Sequence, residues 1–366
     1  MTDPTISALT TQVLGGTALL AFLFGWVASR THFCTMGALS DAFNMGDHTR
    51  LRMWVLAVAV ATFGFHGLAA IGWINPSQTL YTGVRVPWLA TMTGGLLFGV
   101  GMVLASGCGA KTLIRVGAGS LRSLVVALVM AVSALATLKG VVAVVRVDVF
   151  EPWALVLPSA GGLAVWLGSV LGVDAFAVAL VWCFALLAWV LAHPSGRQAL
   201  TWLAGVGVGA CVVGLWWLTG RVGFLSEHPE TLEPAYLATQ SGMMEAFTFT
   251  APLAHALDWL TYFSDASNTL TVGVVAVFGV VLGSAVDALC TRRFHWEGFV
   301  GAQDTALHLL GAALMGVGGV MAMGCTIGQG LSGLSTMGVT SFLATAGLVA
   351  GGWLGMRIQL WLVMRD

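Results

Sequence analysis

The stretch GGLLFGVGMVLASGC at residues 94–108 returns in altered form as GAALMGVGGVMAMGC at residues 311–325. Nine of the fifteen positions are identical without a gap, and both copies end in a Gly-Cys pair. Small residues allow helices to pack closely in a membrane, but packing alone does not account for a cysteine at the same position in both copies. The stretch therefore predicts two related halves, an arrangement that often carries inverted topology in membrane proteins.

The composition around these copies is that of a membrane protein. Hydrophobic residues make up 58% of the 366 residues and charged residues only 8%, whereas soluble domains carry roughly 25% charged residues. No charged residue occurs between Asp304 and Arg357. Because a membrane-crossing helix needs about 20 apolar residues, we predict an all-α polytopic protein with about nine or ten spans. We place them near 9–30, 52–74, 89–106, 120–145, 160–192, 199–220, 268–290, 302–323 and 337–363, with 160–192 counted as one span or two because Asp174 interrupts it.

The predicted spans divide one integral membrane domain, residues 1–366, into three parts. Residues 1–150 form the first repeat half, and residues 266–366 form the second. Between them, residues 151–265 hold connecting spans and a polar segment with several Glu, His and Pro residues at 225–264. We expect that segment to be an aqueous loop with one or two interfacial helices.

Each Gly-Cys pair is followed by sequence too polar and too rich in glycine for a continuous lipid-facing helix. Lys111 and Arg115 follow Cys108, and Gln329 and Ser332 follow Cys325. Irregular backbone at membrane depth is tolerated only against protein or a water-filled cavity. We therefore expect two broken or re-entrant helices that meet inside the protein, where the amino ends of new helices favour an anion.

Three of the six cysteines lie at such breaks, because Cys34 also begins a small, polar stretch just after the first span. A thiol is a weak hydrogen-bond donor with a soft, polarizable sulfur, so it suits a ligand that exposes sulfur. The absence of C-x-x-C or zinc-like spacing argues against a metal site, and the near-neutral charge argues against nucleic acid. We expect no cofactor. The candidate substrate-binding residues are Cys34, Cys108, Cys325, Gly107, Gly109, Lys111, Gly324, Thr326 and Gln329.

Charged residues suggest an orientation. Arg30, Arg50 and Arg52 flank the Cys34 segment, and Arg292 and Arg293 lie in another short loop. Short basic loops tend to stay in the cytoplasm, which would put Cys34 nearest the cytoplasm. Asp287 lies near the end of its span, where we expect water to solvate it.

Three motifs together resemble the YeeE/YedE family of sulfur-compound transporters over essentially the whole chain. They are Phe33-Cys34-Thr-Met-Gly37, Ser106-Gly107-Cys108-Gly-Ala-Lys111 and Met323-Gly324-Cys325-Thr-Ile-Gly328. The resemblance implies an hourglass-like helical fold of inverted repeats, and import of thiosulfate or a related sulfur anion past three cysteines. It also implies a bacterial inner-membrane location, no enzymatic activity and a cytosolic partner that resembles the small sulfur carrier TusA.

Two other readings of the cysteines stay open at this point. A membrane sulfurtransferase would carry a covalent persulfide on Cys108. A redox-sensing subunit would use Cys108 as an exposed thiolate of low pKa, which Lys111 and Arg115 would favour. Within the transport reading, a selenium compound is an alternative substrate.

Overall fold

A computed structural model describes residues 4–229, 232–265 and 268–364. Fourteen α-helices account for most of this part of the chain. They are α1 (Pro4–Arg30), α2 (Thr35–Ser40), α3 (Thr49–Ala70), α4 (Trp88–Leu104), α5 (Gly109–Gly117), α6 (Leu121–Lys139), α7 (Val141–Val145), α8 (Gly162–Leu171), α9 (Ala175–Leu191), α10 (Ala199–Trp217), α11 (Thr250–Thr261), α12 (Val272–Cys290), α13 (Ala302–Met321) and α14 (Val339–Val363).

Shorter elements join the helices. Four two-residue strands form two small antiparallel pairs, in which β1 (Arg85–Val86) pairs with β2 (Leu155–Val156) and β3 (Phe224–Leu225) with β4 (Ala235–Tyr236). π-Helical turns cover Asp41–Met45, Arg146–Phe150, Leu218–Val222 and Gly328–Gly333, and a 3₁₀ turn covers Pro194–Arg197.

Eight helical segments in the described residues are long and apolar enough to cross a membrane, and the bent pair α8–α9 makes a ninth. This confirms the predicted polytopic all-α class. The bend of 115° falls at Asp174, where the span prediction 160–192 was ambiguous. Asp174 caps α9 because its carboxylate accepts the backbone N–H of Phe176, and a side chain that caps a helix start fits a break better than a helix interior.

Some predicted boundaries are wrong. The span placed at 52–74 begins at Thr49 and ends at Ala70, because the chain turns at Gly72, whose φ of +74° suits glycine. The span placed at 120–145 ends at Lys139, and Gly140 separates it from α7. In the polar segment 225–264, α11 is the one α-helix among the described residues.

Glycine controls how the central helices pack. A Cβ atom added to Gly94 would lie 2.7 Å from the carbonyl oxygen of Gly318, and one added to Gly318 would lie 2.5 Å from the carbonyl oxygen of Gly94. Gly101 and Gly311 face each other in the same way. Helices α4 and α13 therefore run antiparallel with their backbones in contact, as small residues permit in membranes.

Close backbone contacts at glycine also join other helix pairs. A Cβ on Gly99 would lie 2.4 Å from the carbonyl oxygen of Leu348 in α14, and one on Gly283 would lie 2.0 Å from the carbonyl oxygen of Phe22 in α1. Helices α4, α13 and α14 thus form a tight group, and α1 packs along α12. This scaffold fixes where α1, α4 and α13 end, and each of these ends leads to a cysteine.

Candidate functional site

Cys34 follows the end of α1. His32, two residues earlier, has a φ of +54°, which turns the chain out of the helix. Cys34 then caps α2, and its sulfur accepts the backbone N–H of Gly37 at 3.4 Å. Its side chain is partly buried. The left-handed residue is not glycine, so the turn carries strain that its surroundings must offset.

Cys108 follows α4 through the same kind of turn. Ser106 has a φ of +55°, and Cys108 stands at the amino end of α5 with 1% of its surface exposed. The N–H of Lys111, three residues on, lies near the Cys108 sulfur. The guanidinium group of Arg115 donates to the Ser106 carbonyl at 2.8 Å and holds the turn from the other side.

Cys325 repeats the arrangement a third time. Met323 has a φ of +55°, Cys325 is fully buried, and its sulfur accepts the N–H of Gly328 at 3.4 Å. A π-helical turn, rather than an α-helix, follows this cysteine. At Cys34 and Cys325 the backbone N–H three residues on donates to the sulfur, which leaves each S–H free to donate elsewhere.

The three motifs converge in space. The thiols of Cys34 and Cys108 lie close to each other, and the Thr326 side chain lies close to Cys108 without a hydrogen bond of normal geometry. Cys325 also lies near Cys108. The remaining cysteines lie elsewhere: Cys183 donates to the Ala59 carbonyl at 3.4 Å, Cys211 is buried in α10, and Cys290 is exposed at the end of α12.

Lys111 brings positive charge to this group. Its half-buried side chain interacts electrostatically with Cys34 and Cys108, and with the guanidinium groups of Arg50 and Arg115. No ion pair between Lys111 and a carboxylate is present in the described part of the chain. An unpaired ammonium group beside two thiols produces a local field that favours an anion.

Three of the candidate site residues are glycines. A Cβ on Gly107 or Gly109 would meet its nearest neighbour at ordinary contact distances of 3.4 and 3.5 Å. A Cβ on Gly324 would lie 3.1 Å from Cγ of Gln329, which is tighter. The local space thus requires glycine more strictly beside Cys325 than beside Cys108.

Gln329 is fully engaged by the protein. Its amide nitrogen donates to the Ala322 carbonyl and its amide oxygen accepts the Ser341 hydroxyl at 2.7 Å. The side chain thereby ties the Cys325 turn to the end of α13 and to α14. The Thr326 hydroxyl, by contrast, is buried without a hydrogen bond of normal geometry.

A cavity of about 440 Å³ opens beside the Cys325 motif. Met323 and Gly324 form part of its wall, and so does Thr248, whose hydroxyl lies 4.0 Å from the Cys325 sulfur. Tyr81 and Glu245 also line the cavity. Sequence reasoning missed Thr248, Tyr81 and Glu245, because they lie in loops far along the chain and belong to no motif.

The expectation that water solvates Asp287 is wrong. It lies near the end of α12, but only 1% of its surface is exposed. Its carboxylate accepts the Ser29 hydroxyl at 2.7 Å and pairs with Arg30 at 3.6 Å. The packing of α1 along α12 buries the carboxylate, so a partner from α1 replaces the water that we expected.

This fold and this group of buried thiols define a multi-pass helical membrane protein with a sulfur-bearing interior. The family model described as "Sulphur transport" matches residues 30–354. The chain therefore belongs to this family, which confirms the resemblance to YeeE/YedE proteins. It is a transport protein for small sulfur-containing anions and not an enzyme.

Two relatives extend the similarity over nearly the whole chain. One is the "Thiosulfate transporter TsuA" of Escherichia coli (strain K12), which is 26% identical over 355 residues, or 92% of this chain and 89% of the relative. The other carries the same name in Spirochaeta thermophila and is 27% identical over 359 residues, or 95% of this chain and 98% of the relative.

Proposed function

We propose that this chain is a permease that imports thiosulfate or a closely related sulfur-containing anion across the bacterial inner membrane. The observation that carries the proposal is that three thiols, each placed after a left-handed turn at a helix end, lie near one another beside a cavity that reaches the Cys325 motif. The names of the two relatives add support for thiosulfate.

The proposed path begins at the cavity beside Cys325, continues past Cys108 and ends at Cys34. Arginine-rich loops near Cys34 favour the cytoplasm for that end, so the cavity would face outward. A doubly charged anion faces a desolvation cost of tens of kcal/mol in a medium of low dielectric. Thiol donors, backbone N–H groups and the field of Lys111 together would replace most of the lost hydration, weakly enough at each position for release.

Neutral thiols suit a relay of this kind because they hold the anion without adding a charge that would trap it. The S–H groups donate, and their soft sulfur atoms contact the terminal sulfur of the substrate. Gly107, Gly109 and Gly324 keep side chains away from the thiols, and Thr326 adds a hydroxyl. We assign Gln329 to this site as the residue that holds the Cys325 turn in place.

The two halves of the chain are proposed to be inverted repeats. Gly94 aligns with Gly311 and Gly101 with Gly318, while the contacts join Gly94 to Gly318 and Gly101 to Gly311. An exchange of partners of this kind is what a twofold-related pair of helices produces. We keep the proposed division into residues 1–150, 151–265 and 266–366.

We also propose a TusA-like sulfur carrier as the cytosolic partner. His32, Arg50, Lys111 and Arg293 interact electrostatically near Cys34. A positive surface at the exit would attract an acidic partner or hold the released anion.

Uptake of ³⁵S-thiosulfate into cells that lack other sulfur importers tests the proposal. Cys108→Ala and Cys325→Ala should each reduce uptake at least tenfold at equal expression, because each removes a donor from the path. Cys211→Ala is the matched control, since Cys211 is a buried cysteine away from the group. Normal uptake by Cys108→Ala would contradict the relay.

The alternatives give different results. Mass spectrometry of Cys108 after exposure to thiosulfate should show no persulfide, whereas a sulfurtransferase would retain one. Thiosulfate flux in liposomes excludes a sensor without transport. Competition by selenite, sulfite and sulfate against labelled thiosulfate measures which anion the path prefers.

A further inference from the structure

A second, smaller cavity of about 60 Å³ is lined by residues that follow Cys34 and Cys325, and it shares no lining residue with the larger cavity. Segments that are far apart in sequence enclose it. Thr35 comes from α2, Trp54 from α3, Thr326 from the turn after Cys325, and Thr345 from α14. Two of these residues directly follow cysteines of the motif group, since Thr35 follows Cys34 and Thr326 follows Cys325.

All four of these residues carry a buried polar atom without a hydrogen-bond partner. The atoms are the hydroxyl oxygens of Thr35, Thr326 and Thr345 and the indole nitrogen of Trp54. Buried polar groups in folded proteins nearly always have a partner, and one that lacks a partner destabilises the fold. Four such groups around one cavity form a set of donors that a bound ligand would satisfy.

The size of the cavity allows a small ligand. A single water needs about 10–15 Å³ of the same kind of volume, and this cavity has about 60 Å³. The surface that the cavity presents here is apolar, from residues such as Leu39, Leu51 and Leu348. A threonine exchanges its methyl and hydroxyl groups by one rotation about χ1, and both rotamers are accessible to threonine in helices. The walls can thus become polar without any movement of the backbone.

The chemistry of the four groups selects the ligand class. The indole N–H can only donate, and threonine hydroxyls can all donate as well. None of the four is charged, so the set favours a ligand rich in acceptors, while the donor-only indole disfavours a cation. The aliphatic wall suits a ligand with one soft, weakly hydrated end. A small oxyanion that bears an exposed sulfur combines these two properties.

Gly330 contributes the space for the indole. A Cβ atom on Gly330 would lie 3.0 Å from Cζ2 of Trp54. With glycine at this position, the Trp54 ring rests directly against the backbone after Cys325. The Trp54 ring thereby lines the cavity beside the turn that follows Cys325.

We propose that this cavity is an occluded subsite for the transported sulfur oxyanion, bound by Thr35, Trp54, Thr326 and Thr345. The inference rests on the proposed function and adds a second binding site for the anion near the thiols. The hydroxyl groups turn toward the cavity only when the ligand arrives. The walls of the empty subsite therefore stay apolar. An empty site of this kind resists water, which limits leakage between transport events, and it holds the anion weakly enough for release.

The test compares isosteric variants at the cavity with matched variants elsewhere. Thr345→Val and Trp54→Phe each remove one donor. Thr91→Val and Trp182→Phe are the controls, because Thr91 and Trp182 also carry buried polar atoms without partners but do not line the cavity. Each purified protein is measured for its melting temperature, for thiosulfate affinity by calorimetry and for thiosulfate flux in liposomes.

All four variants are expected to melt at or above the wild-type temperature, since each replaces an unpartnered buried polar group by an apolar one. The cavity variants should bind thiosulfate about tenfold more weakly, as expected for loss of a hydrogen bond to a charged ligand, while the controls stay within twofold of wild type. A melting temperature that is kept or raised, together with a weaker affinity for thiosulfate, is thus expected only for the cavity variants.

Each possible result is informative. If wild type binds and transports thiosulfate but the cavity variants match their controls, the subsite is wrong and the proposed function stands. If wild type neither binds nor transports thiosulfate, the proposed function is wrong, and the subsite for this anion is wrong with it.

Discussion

Gly101 and Gly311 contact each other so closely that a Cβ atom on either would lie 2.6 Å from the carbonyl oxygen of the other. Gly94 and Gly318 form the equivalent contact two helical turns away. The antiparallel crossing of α4 and α13 depends on these four positions. It also sets the separation of Cys108 from Cys325, because each cysteine follows the carboxyl end of one of the two helices.

The first prediction concerns this crossing. Gly311→Ala should destabilise the protein by about 1–3 kcal/mol, since the added methyl group forces the two backbones apart. Thermal unfolding of the purified protein in detergent measures the change. Gly15→Ala in α1 is the control, because a Cβ there meets nothing within 4 Å and alanine favours a helix over glycine. Equal melting temperatures for the two variants would contradict a tight crossing.

The second prediction concerns Asp287 and separates the contributions of its hydrogen bond and of its ion pair to the stability of the protein. The Ser29 hydroxyl is hydrogen-bonded to this carboxylate, whereas the Arg30 side chain remains 51% exposed. An ion pair with an exposed partner contributes little, so Asp287→Asn, which can still accept from Ser29, should melt closer to wild type than Asp287→Ala does. Thermal unfolding at low and high salt provides the measurement. A loss of equal size in both variants would show that the charge, and not the hydrogen bond, stabilises the contact between α1 and α12.

The third prediction uses the loop carboxylate in the larger cavity. Burial raises the pKa of Glu245, and hydrogen bonds from Ser241 and Gln240 only partly oppose this effect. A raised pKa means that the folded protein binds this proton more tightly than the unfolded chain does. Stability is therefore gained as the pH falls through the folded-state pKa, and it is lost as the pH rises from the ordinary carboxyl pKa of 4.5 toward that value.

Glu245→Gln, which cannot ionise, should accordingly melt above wild type at pH 8, and the difference should shrink as the pH is lowered toward 5. Glu233→Gln is the control, because Glu233 is exposed. A constant difference between wild type and Glu245→Gln at every pH would mean that the carboxyl does not titrate differently on folding.

The fourth prediction concerns the charge beside the thiols. Lys111→Met keeps the length of the side chain but removes its charge, so thiosulfate uptake should fall about tenfold or more. A charge pair about 7 Å apart at an effective dielectric constant of about 20 is worth roughly 2 kcal/mol. Lys111→Arg should retain most of the activity. The half-saturation concentration in liposomes is the measurement, because a field on the anion acts on binding.

Lys139→Met serves as the control for Lys111→Met. Lys139 is the last residue of α6, and its ammonium group pairs with Asp258 at 2.8 Å while its side chain is 59% exposed. Its replacement should leave the half-saturation concentration within twofold of wild type. Equal effects of the two changes would indicate a general role of surface charge rather than a local field at the thiols.

The long uncharged segments were sufficient to predict the membrane spans, because hydropathy is a property of neighbouring residues and acts on each span alone. The glycine-rich stretches after Cys34, Cys108 and Cys325 likewise predicted where the helices break. Asp174 marked the bend between α8 and α9 for the same reason, since capping is a local interaction. Helix ends moved by several residues where a turn such as that at Gly72 ended a span early.

The sequence did not predict which side chains from different helices contact each other. Asp287 was expected in water but is buried against Ser29, and Thr248 reaches Cys325 from a loop 77 residues earlier in the chain. The four unpartnered groups at the small cavity come from four separate segments. Apolar patterning decides which residues enter a helix, but the rotation and depth of each helix depend on backbone contacts such as Gly101–Gly311. Only the packed structure therefore decided which polar atoms meet and which thiols share one interior.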